Sequence, residues 1–511
     1  MLNLVNTKRF TVVGGGTAGW FAAITLRRIL HPSIEVMVIA SSELDIIGVG
    51  EGGITNLPDA LSRNHIDLEL FREKTGGLYK LGFAYEGWRT GEDSDAFFHL
   101  FQQSLPDGFL MRRLHHFYPY ASALINRKIP LEHGFRGFAD IIMKNATQEE
   151  AKRFYNQGQC DLAQSFHFDS YKTAHFLKEI AISRGVIYKD VKVISAKRND
   201  AGHVQTINTA SEEISTDFVI DATGLRRFFI QHIDTEWDSF KPYLAMDRAI
   251  PFYMKHPFKN PALYTRAIAM QAGWMWQIPL QERVGAGYVF SSLHLNEEEA
   301  QQEVLDKLGE TVEFKKMIRF EPGCYKKVWV GNVMALGLSS GFVEPLEATS
   351  IGQMLSQLKI FEDVLVNSSG VVGQATLDSF NQVNYHSWLS VRDFLCLHYD
   401  CPRRDNDFWQ DVAQLPRPES YLQLKECMQH RTVRTTDMLP YAPKGWPMLF
   451  GEMSWTMVAS GLGLINPDST FNELRSLPLD AQQSADAFSQ QFMMHQGPLR
   501  LPDFNNLPTW N

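Results

Sequence analysis

Two tryptophans flank a single methionine in "GWMWQIPL", residues 273–280. In an extended strand alternate side chains share a face, so Trp274 and Trp276 form one indole wall while Met275 points the other way. Such a wall either fills a core or separates two compartments, and Pro279 closes the strand. A second chemical signal lies near the N-terminus. In "FTVVGGGTAGWFAAITLRRIL" a β-branched run meets a glycine turn and a helix starting near Thr17, with Gly14, Gly16 and Gly19 in G-x-G-x-x-G spacing. With the second strand "SIEVMVIA" following, this is the dinucleotide fingerprint: a tight turn, a backbone that can approach a pyrophosphate, and a helix N-terminus aimed at phosphates. The acid expected at the end of that second strand is absent; Ala40 stands there, followed by Ser41. Cys396, His398 and Cys401 have a spacing that suggests a metal, but no second ligand cluster accompanies them, so they read as packing residues and no metal is expected.

The elements that must carry these groups follow from pattern. "DFVIDATGLRR", residues 217–227, is an apolar parallel-type strand running into Ala-Thr-Gly, where Gly224 lets the backbone pass close to a dinucleotide. "VGNVMALGLSSGFVEPLEATSIGQM", residues 330–354, reads as a strand, a small-residue turn through Gly337 and Ser339, and a helix whose N-terminal amides can face a flavin ring or an anion. Both segments fit a flavin fold better than a nicotinamide one. "IIGVGEGGITNLP", residues 46–58, reads as a loop because of its four glycines. Helical patterns run from about residue 350 to 411, and loops rich in Pro, Trp and Met are expected from there to the end.

Composition sets outer limits. A chain of 511 residues can hold two or three domains, or one large domain with insertions. Its net charge of -9 and lack of a Lys/Arg run argue against nucleic acid as a partner. The longest uncharged apolar stretch, residues 10–26, is interrupted by glycines, so no membrane span is expected, and the first residues lack a signal-peptide pattern. Five scattered cysteines favour a reducing cytoplasm without structural disulfides. A homodimer is compatible with the sequence.

Four motifs, "GGGTAGW" (14–20), "GVGEG" (48–52), "WMWQIP" (274–279) and "GFVEPLEATSIG" (341–352), occur in this order. The chain thereby resembles the flavin-dependent halogenases of the tryptophan halogenase type over most of its length. Members of that family use FADH2 from a separate reductase, dioxygen and a halide to place chlorine or bromine on an electron-rich ring. The resemblance implies an α/β fold: a Rossmann-like FAD domain of the glutathione-reductase/aromatic-hydroxylase type with a mixed sheet, and a mainly helical substrate-binding part. Residues 1–370 are expected to form the FAD domain, with substrate-facing insertions at about 80–215 and 240–325, and residues 371–511 the helical part. The cofactor is expected at Gly14, Gly16, Thr17, Ala18, Gly19, Ser41, Gly224, Gly337 and Ser339, with Val49, Gly50 and Glu51 on a strap over it.

The same resemblance assigns the chemistry. With Trp274 and Trp276 as a partition, the organic ring is kept from the flavin and only a small anion can reach it, so halide is converted to hypohalous acid. Lys80 in "TGGLYKLGFAYEGW" matches the family's catalytic lysine. Its ammonium can hydrogen-bond hypohalous acid, or its neutral amine can form a haloamine, and burial favours the neutral amine. Electrophilic substitution leaves a cationic ring, which a nearby carboxylate stabilises and deprotonates. Glu347 matches that carboxylate and Glu344 does not. The family's halide-binding Ser-Thr-Gly becomes Ala348, Thr349 and Ser350, which makes Thr349 and Ser350 the halide residues and alters the pocket with a hydroxyl. "FFHLFQ" and "MLFGEMSWTMV" supply His99, Phe101 and Trp455 to hold a flat ring, an indole or tryptophan-like substrate. Tryptophan-specific members of the family hold the ammonium and carboxylate of free tryptophan through C-terminal loops, and no residues of this sequence are matched to those contacts. A flavin-dependent aromatic monooxygenase and a non-catalytic dinucleotide-fold binding protein are the alternatives.

Overall fold

The apolar run Arg9–Val13 lies inside a six-stranded sheet of the computed structural model, which describes residues 2–44, 48, 50–103, 117–442 and 448–504. It pairs in parallel with Glu35–Ala40 on one side and Phe218–Asp221 on the other; Ile187–Asp190 and Val333–Ala335 extend the sheet in parallel, and Trp329–Val330 closes it antiparallel. The central strands Arg9–Val13, Glu35–Ala40 and Phe218–Asp221 are buried and largely apolar because helices cover the sheet, whereas the edge strand Ile187–Asp190 has no buried residue; helix Thr17–Ile29 packs on Ser170–Ser183 and Thr349–Asn367. The turn after Arg9–Val13 requires glycine at position 14. There φ is +129° and a Cβ would lie 2.1 Å from the Ala222 carbonyl oxygen, so the two parallel strands leave the sheet back to back.

A seven-stranded sheet forms the second layer, in the order Ile318–Arg319, Arg248–Met254, Val284–Phe290, Gly273–Pro279, Thr265–Ala269, Gly82–Glu86, Ala96–Leu100. Its pairs are antiparallel except Thr265–Ala269 with Gly82–Glu86. Register places the functional side chains together. Trp274 opposes Ala269, Trp276 opposes Ala267, Ala267 opposes Tyr85, and Phe83 opposes both Thr265 and His99. Directly paired residues share a face, so the two indoles, Tyr85, Phe83, His99 and, by alternation, Phe97 all face the same way. Met275 faces the opposite core with Ile250, Phe252 and Tyr288.

Two expectations are corrected. Within residues 46–58, Glu51–Gly52 is an edge strand paired with Ser165–Phe168, whose other neighbour is Leu78–Lys80, and helix Asn56–Arg63 begins within the segment, at Asn56. Glycine density hid a pairing that is made with a partner more than a hundred residues away. Beyond residue 411 the chain is helical at Glu419–His430, Glu452–Gly461, Pro467–Arg475 and Leu479–Gln490. The prolines that suggested loops, Pro418, Pro467 and Pro478, sit at the first position of these helices or just before it, where a missing N–H costs nothing. Among the described residues no helix is long and apolar enough to cross a membrane. The fold is α/β with mixed sheets.

Candidate active site

At the C-terminal ends of Arg9–Val13, Glu35–Ala40 and Phe218–Asp221 a cavity of about 850 Å³ opens, where an open α/β sheet places its ligand. Gly14, Gly16, Thr17 and Ala18 line it from one turn, Ser41 from the second strand end, Gly224 from the third, and Gly50, Glu51, Gly337 and Ser350 from opposite sides. A dinucleotide fits this wall. Helix Thr17–Ile29 begins without a side-chain cap or an acid in its first turn, so its N–H groups stay available to phosphate. A Cβ at Gly16 or Gly224 would meet no protein atom within 4 Å, so both backbones face open space. Gly19 stands behind the wall. Ser339 is buried beneath it and donates to the Gly224 carbonyl and to Asp221. Asp221 also accepts from Thr223, Phe229 and Ile230 and so shapes the turn that carries Gly224. Val49 lies outside the described residues.

Trp274 and Trp276 line the same cavity, their rings 6.3 Å apart. Trp276 has room because its cross-strand partner is Gly287, where a Cβ would fall 2.1 Å from the indole Cη2. The alternation gave the wall, and a glycine on the next strand lets it stand. Gly287→Ala is therefore expected to displace the indole and to cost about 1–3 kcal/mol, measured as a lowered denaturant midpoint; an unchanged midpoint would show that the ring has another place to go.

Lys80 lines the cavity with the two indoles, fully buried, and its Nζ has no hydrogen-bond partner among the described residues. The Nζ sits 3.8 Å from the centre of the Phe83 ring and 5.4 Å from that of Phe101. Burial pushes its pKa down to about 7, against the attraction of the Glu347 charge. A buried, unpaired amine is costly to keep for structure alone.

Glu347 is fully buried and outside the cavity lining. Its Oε2 accepts from His99 Nδ1 at 2.7 Å; its Oε1 accepts from the Tyr85 hydroxyl and lies 3.2 Å from His398 Nε2. The His398 Nδ1–H donates to the Phe394 carbonyl at 2.7 Å, which leaves Nε2 facing the Tyr85 hydroxyl at 3.0 Å. Burial works to raise the carboxyl pKa, but the two imidazoles outweigh it and hold the group well below the usual carboxylate range. Glu347 and Ala348 both have left-handed backbones, at φ +66° and +53°, a strain of about 1–3 kcal/mol each that persists because both carboxylate oxygens are anchored. His398, which the sequence presented as packing, belongs to this cluster; its neighbours Cys396 and Cys401 are buried thiols that burial pushes up to about 12 and about 11. Nothing in the sequence around Tyr85 marked it, and His398 stood out only for its spacing with two cysteines.

Helix Thr349–Asn367 starts at the next residue without a side-chain cap, and the buried hydroxyls of Thr349 and Ser350 have no partner among the described residues. An uncapped N-terminus with two free hydroxyls can hold a small anion. Phe101 contacts His99 edge-on at 6.3 Å, and His99 in turn contacts Phe394 and Phe450, which stack on each other at 4.2 Å. Trp455 is fully buried, its ring centre 5.3 Å from that of Phe394, and stacks with Tyr441. Phe394 and Phe450 thus join the aromatic region although the sequence did not single them out.

The family model for tryptophan halogenase matches residues 9–475. The chain is 38% identical over 490 residues to "Uncharacterized protein y4xG" of Sinorhizobium fredii, covering 96% of each chain. To tryptophan 7-halogenase RebH of Lentzea aerocolonigenes it is 28% identical over 518 residues, covering 94% of this chain and 93% of the relative. Its fold superposes on that of Xcc4156, a flavin-dependent halogenase from Xanthomonas campestris, with a TM-score of 0.77 at 26% identity, covering 96% and 97% of the two chains. The chain, an enzyme, belongs to the tryptophan halogenase family.

Proposed function

We propose that the protein is an FADH2-dependent halogenase that installs bromide or chloride on an electron-rich aromatic ring, an indole or tryptophan-like substrate. The observation that carries this reading is Lys80: a buried amine, without a hydrogen-bond partner among the described residues, that lines the dinucleotide cavity beside two indoles and has the buried Glu347 in its electrostatic field. Reduced flavin, when bound, supplies the two electrons that let dioxygen oxidise halide to hypohalous acid. The chain's own residues do the rest. Gly14 to Ala18, Gly50, Glu51 and Gly224 hold the dinucleotide; Thr349 and Ser350 hold the halide; Trp274 and Trp276 keep the organic ring away; Lys80 positions the oxidised halogen. Glu347, bonded to His99, Tyr85 and His398, stabilises the cationic ring and takes its proton. His99, Phe101 and Trp455 belong to the substrate side.

The test is a reaction with a generic flavin reductase, NADH, FAD and either halide over a panel of indoles, phenols and pyrroles, read by the isotope pattern of the products. A halogenated product is expected with at least one ring class. A hydroxylated product formed equally well without halide overturns the reading.

Reduced flavin must arrive from a separate reductase, so the protein is expected to purify without stoichiometric FAD. The adenosine end supports this: Ala40 offers no acid to the ribose, and Asp190, its partner in register on the next strand, already accepts from the Ser42 N–H at 2.8 Å. Visible absorbance of the purified protein, before and after added NADH, checks the point. A yellow preparation that NADH bleaches would contradict it.

A further inference from the structure

We infer that Glu344 is a positioning residue that locks the Trp274 indole in the wall and ties it to the end of helix Gln374–His398. The inference rests on the halogenase reading of that wall. Glu344 is 1% exposed, and its Oε1 takes two hydrogen bonds, from Trp274 Nε1–H at 3.0 Å and from the Tyr399 hydroxyl at 2.5 Å. Its Oε2 has no partner among the described residues. A carboxyl that only filled space here would be less favourable than an apolar side chain of similar size, so its retention is explained by what Oε1 holds.

An indole has a single N–H and no acceptor. Turning the Trp274 ring over would leave that donor buried and unpaired and Oε1 short of a bond, so Glu344 selects one orientation of the ring that lines the flavin cavity. Tyr399 extends the lock. It follows His398 directly, so consecutive residues at one helix end reach the two acids of a single turn: His398 to Glu347, which faces the substrate side, and Tyr399 to Glu344, which holds the wall. The wall and the proton-accepting cluster are thus fixed to the same backbone. Burial pushes the Glu344 carboxyl up to about 7, with the Tyr399 and Trp274 bonds opposing; the other ionisable groups in its field are Cys396 on the helix and Tyr85 on the sheet. A neutral amide can therefore replace it without stranding a charge.

The experiment labels the indole nitrogens with ¹⁵N and identifies the Trp274 signal by its loss in Trp274→Phe. In the otherwise unaltered protein, without flavin or turnover, that N–H is expected to exchange slowly with solvent; exchange as fast as in an exposed indole overturns the inference even if no variant folds. Glu344→Gln should keep the slow exchange, and Glu344→Leu should accelerate it about tenfold or more, the scale of one lost hydrogen bond to a charged or strongly polar group. In the reductase-coupled reaction, halogenated product per oxygen consumed should fall about tenfold or more in Glu344→Leu, stay near the parent value in Glu344→Gln, and show no further drop when Glu344→Leu is added to Trp274→Phe. Unchanged exchange and unchanged coupling in a folded Glu344→Leu overturn it. A parent enzyme that halogenates nothing defeats the halogenase reading instead, and the exchange data still decide whether Glu344 holds the ring.

Discussion

Lys80→Ala is expected to abolish carbon–halogen bond formation while oxidation of reduced flavin continues at nearly the rate of the unaltered enzyme. The reason is spatial. Lys80 lines the same cavity as the two indoles, its Nζ 3.8 Å from the centre of the Phe83 ring. Without it the oxidised halogen is neither held nor aimed, and positioning of this kind carries several powers of ten in rate. On the proposed reading flavin oxidation precedes the step in which Lys80 acts and should not respond. Measuring both in one reaction separates the outcomes: equal loss of flavin oxidation and halogenation would place Lys80 in cofactor binding, and unchanged halogenation would remove it from the mechanism. A pH series refines the point. With the pKa pushed down to about 7 by burial, the neutral amine gains population as pH rises through neutrality. Halogenation through a haloamine should rise across that interval, whereas activation by the ammonium should fall; burial favours the first.

Glu347→Ala is expected to lower halogenation by about 10²–10⁴-fold, the usual scale for a positioned acid–base group, again with flavin oxidation preserved. Some activity should survive because solvent can remove the ring proton slowly. The carboxylate is held well below the usual range by His99 and His398 despite its burial, so it remains ionised throughout the working pH interval and stabilises developing positive charge from the outset. Product yield under single-turnover conditions, compared with the unaltered enzyme, checks the magnitude. A loss smaller than tenfold would leave Glu347 a structural anchor for the left-handed turn at Glu347 and Ala348, and thermal unfolding of the variant would then show the larger effect.

Much of this site was legible as local pattern. The β-branched run before "GGGTAG" and the small-residue spacing specify a strand, a turn and a helix because each residue constrains only its neighbours, and the structure has them at Arg9–Val13 and Thr17–Ile29. The two-residue spacing of Trp274 with Trp276 likewise fixes a shared face wherever the strand is placed, as it does for His99 and Phe101. What local pattern could not decide is which faces meet. Tyr85 reaches Glu347 across 262 residues of chain and His99 across 248; these meetings follow from the register of Gly82–Glu86 against Ala96–Leu100 and from the packing of helix Gln374–His398, neither of which is written in a short segment. The left-handed backbone at Glu347 had no glycine to announce it, since it is sustained by hydrogen bonds from three distant side chains. Glu344 shows the limit most clearly: in sequence it is one of two glutamates in "EPLE", and only the packed structure, by bringing an indole N–H and a phenol hydroxyl to a single carboxyl oxygen in a dry interior, separates its position from that of Glu347.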